Sequence, residues 1–203
     1  MGLAAFDRDD LVKRLGKLPG PSRVAFAYAC ASRLAQPYRE AVALEGGVGE
    51  ELVERTLADL AAFLNYGAPS DWAARAATLI GHIPDEDQMG RAACQVLDDA
   101  LAATAYAART AIAFDPAEAA SSAQRLYDAV DAHAQRSLEF SIYSPAIEQR
   151  LLEHSAVQSE LERQRRDLAA LESSGTDIAA TNILAQVGAE RAFRLSDEQG
   201  TSG

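Results

Sequence analysis

The chain has 203 residues, 48% of them hydrophobic and 24% charged, the balance of an ordinary globular protein with enough material for one core. Aromatic residues supply only 6%, so that core has to be built from alanine, leucine, valine and isoleucine, which favours helices over sheets. The formal net charge of −11 argues against binding nucleic acid through its phosphates, and no apolar run reaches the roughly 18 residues that a membrane span needs.

The chain opens with a short apolar stretch followed at once by Asp7, Asp9 and Asp10, the opposite of a secretory leader. A myristoylation signal wants Ser or Thr at the position held by Phe6. A first helix is expected near Asp7 to Leu18, stopped by Pro19-Gly20-Pro21, with Gly20 capping a second helix and Pro21 at its first position. That second helix is apolar almost all round (Val24, Phe26, Ala27, Tyr28, Cys30, Ala31, Leu34), the mark of a helix in the middle of a domain. Pro37 should kink or end it, with Tyr38 to Leu44 continuing as a further helical piece before the Gly46-Gly47-Val48-Gly49 break.

Glu50 to Asn65 reads as amphipathic, with Val53, Leu57, Leu60 and Leu64 on one face and acids in its first turn, where they suit the helix dipole. Ser70 is placed to cap a helix carrying Trp72, Ala76, Leu79 and Ile80, which Pro84 closes. Asp85 and Gln88 then open the next helix in the manner of a capping box.

The stretch from Arg91 to Ala113 is the predicted centre of the fold. Cys94, Leu97, Leu101, Thr104, Ala108 and Ile112 recur at steps of three and four, the spacing that lines one side of a helix. Gln95, Asp98, Asp99, Tyr106 and Arg109 fall on the other side, where the acids read as solvated. Its many alanines let neighbouring helices come close.

Asp115-Pro116-Ala117-Glu118 is the clearest helix start in the chain, and the helix behind it presents Ala119, Ala123, Leu126, Val130 and Ser137. Ser144-Pro145 restarts the pattern. From Val157 the positions Leu161, Gln164, Leu168 and Leu171 alternate by four and three, with Glu162–Arg166 and Arg163–Asp167 as possible ion pairs. Gly175 should end that helix, and Ile178 to Leu195 suggests a last weak one. The expectation is one all-α domain over residues 1–195, a single-domain helical bundle of seven to nine helices, with 196–203 as a flexible tail. Arg23–Ala35 and Arg91–Ala113 lie in its interior.

The side chains that usually carry chemistry are few. Three histidines, His82, His133 and His154, form no metal-binding spacing, and two isolated cysteines make no C-x-x-C. Cys30 and Cys94 sit in apolar helical patterns and read as reduced core residues of a cytoplasmic protein. The glycine run at 46–49 follows a helix and lacks the lysine of a phosphate loop. His82 and His154 read as helix-end residues. His133 on the apolar side of its helix, with Asp128 and Asp131, is the one half-formed centre.

With these elements placed, the chain resembles a bacterial all-helical family, domain of unknown function 416, over roughly Leu11 to Leu171. The similarity rests on RVAFAYACASRLAQPY (Arg23–Tyr38), GVGEELVERTLADLAAFL (Gly47–Leu64) and the IPDEDQ turn with its alanine-rich helix. It extends through SPAIEQRLLEHSAVQSELERQRRDLAAL (Ser144–Leu171), where Glu160, Gln164 and Asp167-Leu168 fall in the expected places. The family tends to have an acid before the arginine and bulky residues before the proline; here Ser32 and Ala35-Gln36 stand there. The resemblance implies one helical bundle and carries no established activity. VAFAYACASRL followed by AATAYAARTA also resembles all-helical immunity proteins of bacterial polymorphic toxin systems.

The expected function is therefore a non-catalytic protein-binding one, with no cofactor, no metal, no nucleic acid and no membrane. In concrete form it is an acidic immunity protein that occludes a basic toxin domain through Glu50, Glu51, Glu54, Asp85, Glu86 and Asp87. A helical adaptor or regulator is the alternative, and an enzyme or small-ligand carrier near His133 the third. Self-association is compatible with all three.

Overall fold

The structure is a computed structural model that describes residues 3–45, 50–85, 92–138, 145–173 and 192–194. In chain order it runs α1 (Arg8–Leu15), α2 (Gly20–Arg33), α3 (Ala35–Glu45), α4 (Glu50–Tyr66), α5 (Trp72–Ile80), α6 (Ala92–Ala113), α7 (Pro116–Ser137), α8 (Pro145–Glu153) and α9 (Ser155–Ser173). These nine helices, and no strand among the described residues, make one all-α domain around one core.

Helices start where a carboxylate is on hand for backbone N–H groups that have no partner within the helix. Asp7 accepts from the Asp10 N–H (2.9 Å), Asp71 from the Ala74 N–H (3.0 Å) and Asp115 from the Ala117 N–H (2.8 Å). The cap of α5 is thus Asp71 and not Ser70, whose carbonyl instead accepts from the Trp72 N–H at 3.0 Å. At α2 the expected capping glycine is the first helical residue, Pro19 precedes it, and Pro21 sits in the first turn, where a missing N–H is harmless. Asp85 is the last described residue before α6; Glu86, Asp87 and Gln88, and with them the proposed capping box, lie outside the described residues.

The break between α2 and α3 follows from Pro37. Its ring crowds the carbonyl four residues back and it has no N–H to offer that carbonyl, which belongs to Arg33. The first helix ends at Arg33, and Pro37 lies in the first turn of the second. The freed Arg33 oxygen accepts instead from the Ala192 N–H at 3.0 Å. Residues 192–194 are not helical, and the rest of the predicted last helix, Ile178 to Leu195, lies outside the described residues.

Helix α6 is the axis of the bundle, with α2, α3, α4, α5 and α7 all packed on it. Alanines 93, 100, 102, 103, 105, 107, 108 and 111 are buried along it, so neighbouring backbones approach closely. Where α2, α6 and α7 meet, Ser122 Oγ lies 3.1 Å from the Ala27 carbonyl and 3.0 Å from that of Ala103. Thr104 and Thr110 are buried and donate to carbonyls one turn back, Ala100 (2.7 Å) and Tyr106 (2.8 Å). Burial on nearly every side corrects the predicted stripe. Ile112 is 53% exposed and Leu97 half-buried, whereas Asp98 and Asp99 are buried. In α7, Ala119, Ala123, Leu126 and Val130 face inward as expected, but Ser137 is exposed.

Arg23 fastens the ends of two helices. Its Nε is 3.0 Å from both Leu15 O and Leu18 O, Nη2 is 2.9 Å from Gly16 O, and Nη1 is 2.7 Å from Phe114 O. Cys30 and Cys94 are buried free thiols, as their apolar surroundings in the sequence predicted. Among the described residues no helix is long and apolar enough to cross a membrane.

Candidate functional site

Helices α4 and α5 form an antiparallel hairpin at the surface. Phe63 meets Trp72 edge to face (centroids 5.7 Å), Asp59 pairs with Arg75 (2.5 Å), and Leu52 and Thr56 share a groove with Thr78 and Leu79. That register carries the chain beyond Ile80 toward the first turns of α4, the end bearing Glu51 and Glu54. Of the predicted acidic surface, Glu51 and Glu54 share α4 about one turn apart, while Asp85 lies beyond the end of α5. Glu51 is exposed and paired with Arg55; Glu54 is 41% exposed and lies 2.7 Å from Arg39 of α3; Asp85 is exposed. Glu50 begins α4, and Glu86 and Asp87 lie outside the described residues. Leu44 near the end of α3 and Ile80 at the end of α5 are exposed apolar residues.

A second polar region lies between α6 and α7. An open cleft of about 420 Å³ is lined by Gln95, Asp128, Asp131, Gln135 and Arg136 together with two alanines. Gln124 donates to Asp128 and Gln135 to Asp131, each at 2.7 Å. Nearby, Arg125 Nη1 lies 3.3 Å from Asp98 Oδ2 and 3.3 Å from Asp99 Oδ1. Burial first, and then the charge of Asp98, pushes the Asp99 carboxyl up to about 7, against the pull of Arg125. Burial also raises Asp128. For Arg125 burial favours loss of charge, but Asp98 and Asp99 outweigh it and hold the guanidinium above its ordinary value. The reading of Asp98 and Asp99 as solvated acids is thus overturned: the arginine that allows their burial stands on the next helix.

His133 does not join this cleft. It is half-buried and stacks on Phe193 with centroids 4.5 Å apart and planes 11° from parallel, while Asp128 and Asp131 face elsewhere. His82 is exposed, and its Nδ1 lies 2.8 Å from the Thr78 carbonyl, which requires the proton on Nδ1. His154 sits at the α8–α9 junction, its Nδ1 accepting from the Ala156 N–H (3.3 Å) and its Nε2 3.2 Å from Ser137 Oγ. Burial, and then the charge of His133, lowers its pKa. Both residues serve helix ends, as their positions in the sequence suggested. No group of three or more His, Cys, Asp or Glu among the described residues could hold a metal ion.

The charge centre that sequence reasoning missed is inside. Arg33, fully buried, reaches Glu160 Oε1 at 3.1 Å and pairs with Asp167, both on α9. Arg163 lies 3.3 Å from Glu160 Oε2, and Arg166 lies 3.0 Å from Asp167 Oδ1. Asp167 thus pairs with α2 and its own neighbour, where the sequence had suggested Arg163. Burial opposes the charge on Arg33, yet the two carboxylates hold it well above its ordinary value. Burial raises Glu160, with Arg33 and Arg163 opposing, and it pushes the Cys30 thiol up, out of the nucleophilic range. The available signal was an arginine at the far end of a helix whose only other charge is Arg23, together with acids at Glu160 and Asp167, seven residues apart on the apolar side of α9.

No protein-family model matches the chain, and no curated protein matches it. Among solved structures it is similar to a DUF416 family protein from Shewanella baltica OS155, with a TM-score of 0.76 at 15% identity. The match covers 87% of this chain and 92% of that one. The fold implied by the sequence resemblance is the fold found.

Proposed function

We propose that this domain is a non-catalytic binding protein whose contact surface is the acidic end of the α4–α5 hairpin and whose partner is basic. The observation that carries this reading is the disposition of charge. The chain has a net charge of −11, and among the described residues the charges turned inward nearly cancel: Arg23, Arg33 and Arg125 stand against Asp98, Asp99, Glu160 and Asp167. Almost all of the acidic excess therefore lies on the outer surface, which favours fast, salt-sensitive encounter with a positive partner.

Arg39 and Arg55 are themselves exposed, so the carboxylates they hold, Glu54 and Glu51, exchange partners at little cost. The concrete form we favour is an immunity protein that covers the basic cleft of a toxin domain, in a cytoplasmic setting. The exposed apolar residues Leu44 and Ile80 supply non-polar contact beside the acids.

Affinity purification from the native host, read by mass spectrometry, should return a stoichiometric basic partner. Charge reversal at Glu50, Glu51, Glu54, Asp85, Glu86 and Asp87 should then weaken binding at low salt much more than at high salt. Recovery of the chain alone at high expression would overturn the binding reading; unchanged affinity after reversal would overturn this choice of surface.

A further inference from the structure

We propose that the seam between α6 and α7 is a proton-dependent clamp, in which Asp99 holds one proton while the seam is closed and releases it as the seam loosens.

The geometry begins with an imbalance. Asp98 on α6 and Asp128 on α7 both act on Asp99, and Arg125 is the cation that both α6 acids share. Asp99 is buried, with a side chain only 3% exposed. One of its oxygens, Oδ1, has Arg125 at 3.3 Å; the other, Oδ2, is sealed from solvent and has no hydrogen-bond partner among the described residues. A buried carboxylate oxygen with no donor is costly, more so with two further carboxylates beside it. A cation of ligand size does not reach an oxygen with no exposed surface. A proton does.

Further along the same two helices, Tyr106 acts on Arg125 and Asp131 on Asp128. The other helices packed on α6 hold their charges in arrangements of their own. Arg33 is taken by Glu160 and Asp167, Glu40 by Gln36, and Asp59 by Arg75. Among the described residues, Cys30 on α2 and Tyr38 on α3 are the remaining buried titratable side chains of those helices.

The direction follows from linkage. Asp99 titrates near 7 in the folded chain and near its ordinary value of 3.8 when unfolded, so between those values the folded state binds the extra proton. Stability from this group is fully present below about pH 4 and is lost progressively as pH rises to and through 7. For a single site of this kind the unfolding equilibrium constant rises about tenfold between pH 6 and pH 8. His154, whose pKa is lowered, contributes a slope of opposite sign, so the comparison that isolates the clamp is wild type against Asp99→Asn.

Urea unfolding of both proteins between pH 5.5 and pH 8.5 tests the clamp. The asparagine amide matches the protonated carboxyl in shape and carries no charge, so the variant should fold and gain on wild type by about thirtyfold in folding equilibrium over that range. The Asp99 carboxyl carbon, followed by NMR in the wild type, should titrate near neutrality, and Asp128→Asn should move that midpoint down. At pH 8 the amides of α7 around Arg125 should exchange faster in wild type than in Asp99→Asn. An Asp99 midpoint near 4, or parallel pH profiles for the two proteins, would overturn the proposal.

Discussion

Nη1 of Arg33 lies 3.1 Å from Oε1 of Glu160, 127 residues further along the chain, and neither side chain reaches solvent. With Asp167 on the other arm of the same guanidinium, this contact ties α2 to α9 at a point where an apolar side chain would fill the space as well. Charged groups taken out of water recover their solvation cost only when every partner is in place. Deleting the arginine alone should therefore be severe. Arg33→Met leaves Glu160 and Asp167 buried with only the more exposed Arg163 and Arg166 beside them and should cost about 3–5 kcal/mol. The triple replacement Arg33→Met, Glu160→Leu, Asp167→Leu should recover most of that loss. Urea unfolding at pH 7 measures both; a single variant within about 1 kcal/mol of wild type would show that the centre does not hold the helices together.

Gly20 and Phe114 test how closely α2 approaches the end of α6. A Cβ added at Gly20 would stand 2.6 Å from Cγ of the Phe114 ring, far inside contact distance. Phe114 is itself held at φ 54°, a left-handed conformation unusual for a bulky side chain, so neither residue yields freely. Gly20→Ala should destabilise by about 1–3 kcal/mol, the usual range for overpacking. Combining it with Phe114→Ala should cost less than the sum of the single changes, because the clash is gone. Strict additivity in a double-mutant cycle would refute the contact.

The start of α5 separates two neighbouring candidates. Asp71 makes the capping bond to the Ala74 N–H, whereas Ser70 makes none with its side chain among the described contacts. Asp71→Ala should cost about 1 kcal/mol and Ser70→Ala less than about 0.5 kcal/mol. Thermal unfolding of the two variants in parallel decides between them, and equal effects would return the cap to Ser70.

What could be read in the sequence was whatever local chemistry decides. The Asp115-Pro116 start of α7, the stop before α2 and the interior placement of α2 and α6 depend on neighbours a few residues apart, and the structure keeps them. The facing of α6 could not be read the same way. A helix wrapped by five others has no dry and wet sides for periodicity to report, so Ile112 was placed inward and Asp99 outward, the reverse of what is found. Asp98 and Asp99 are buried because Arg125 arrives from the next helix, 27 and 26 residues away. Arg33 escaped for the same reason, its partners lying 127 and 134 residues distant. The acids of α4 were legible as composition, and Arg55, four residues after Glu51, lay within local reach, but Arg39, which attends Glu54, became visible only with the packing of α3 on α4.

Arg23 offers the sharpest test of geometry against charge. Helices end with carbonyls that have no partner within the helix, and a planar guanidinium with five N–H groups is suited to collecting several of them. Arg23 takes Leu15 and Leu18 on Nε, Gly16 on Nη2 and Phe114 on Nη1, closing the end of α1 and the end of α6 with one side chain. A lysine keeps the charge but has one compact ammonium group, which cannot span carbonyls set around a fork. Arg23→Met should cost about 2–3 kcal/mol, in line with losing hydrogen bonds to a charged group, and Arg23→Lys should restore less than half of it. Amide exchange should rise at Leu18 and Phe114 in both variants before the rest of the core responds. Full rescue by lysine would mean that positive charge near two helix ends suffices, and that the arrangement of the four carbonyls around the guanidinium carries no stability of its own.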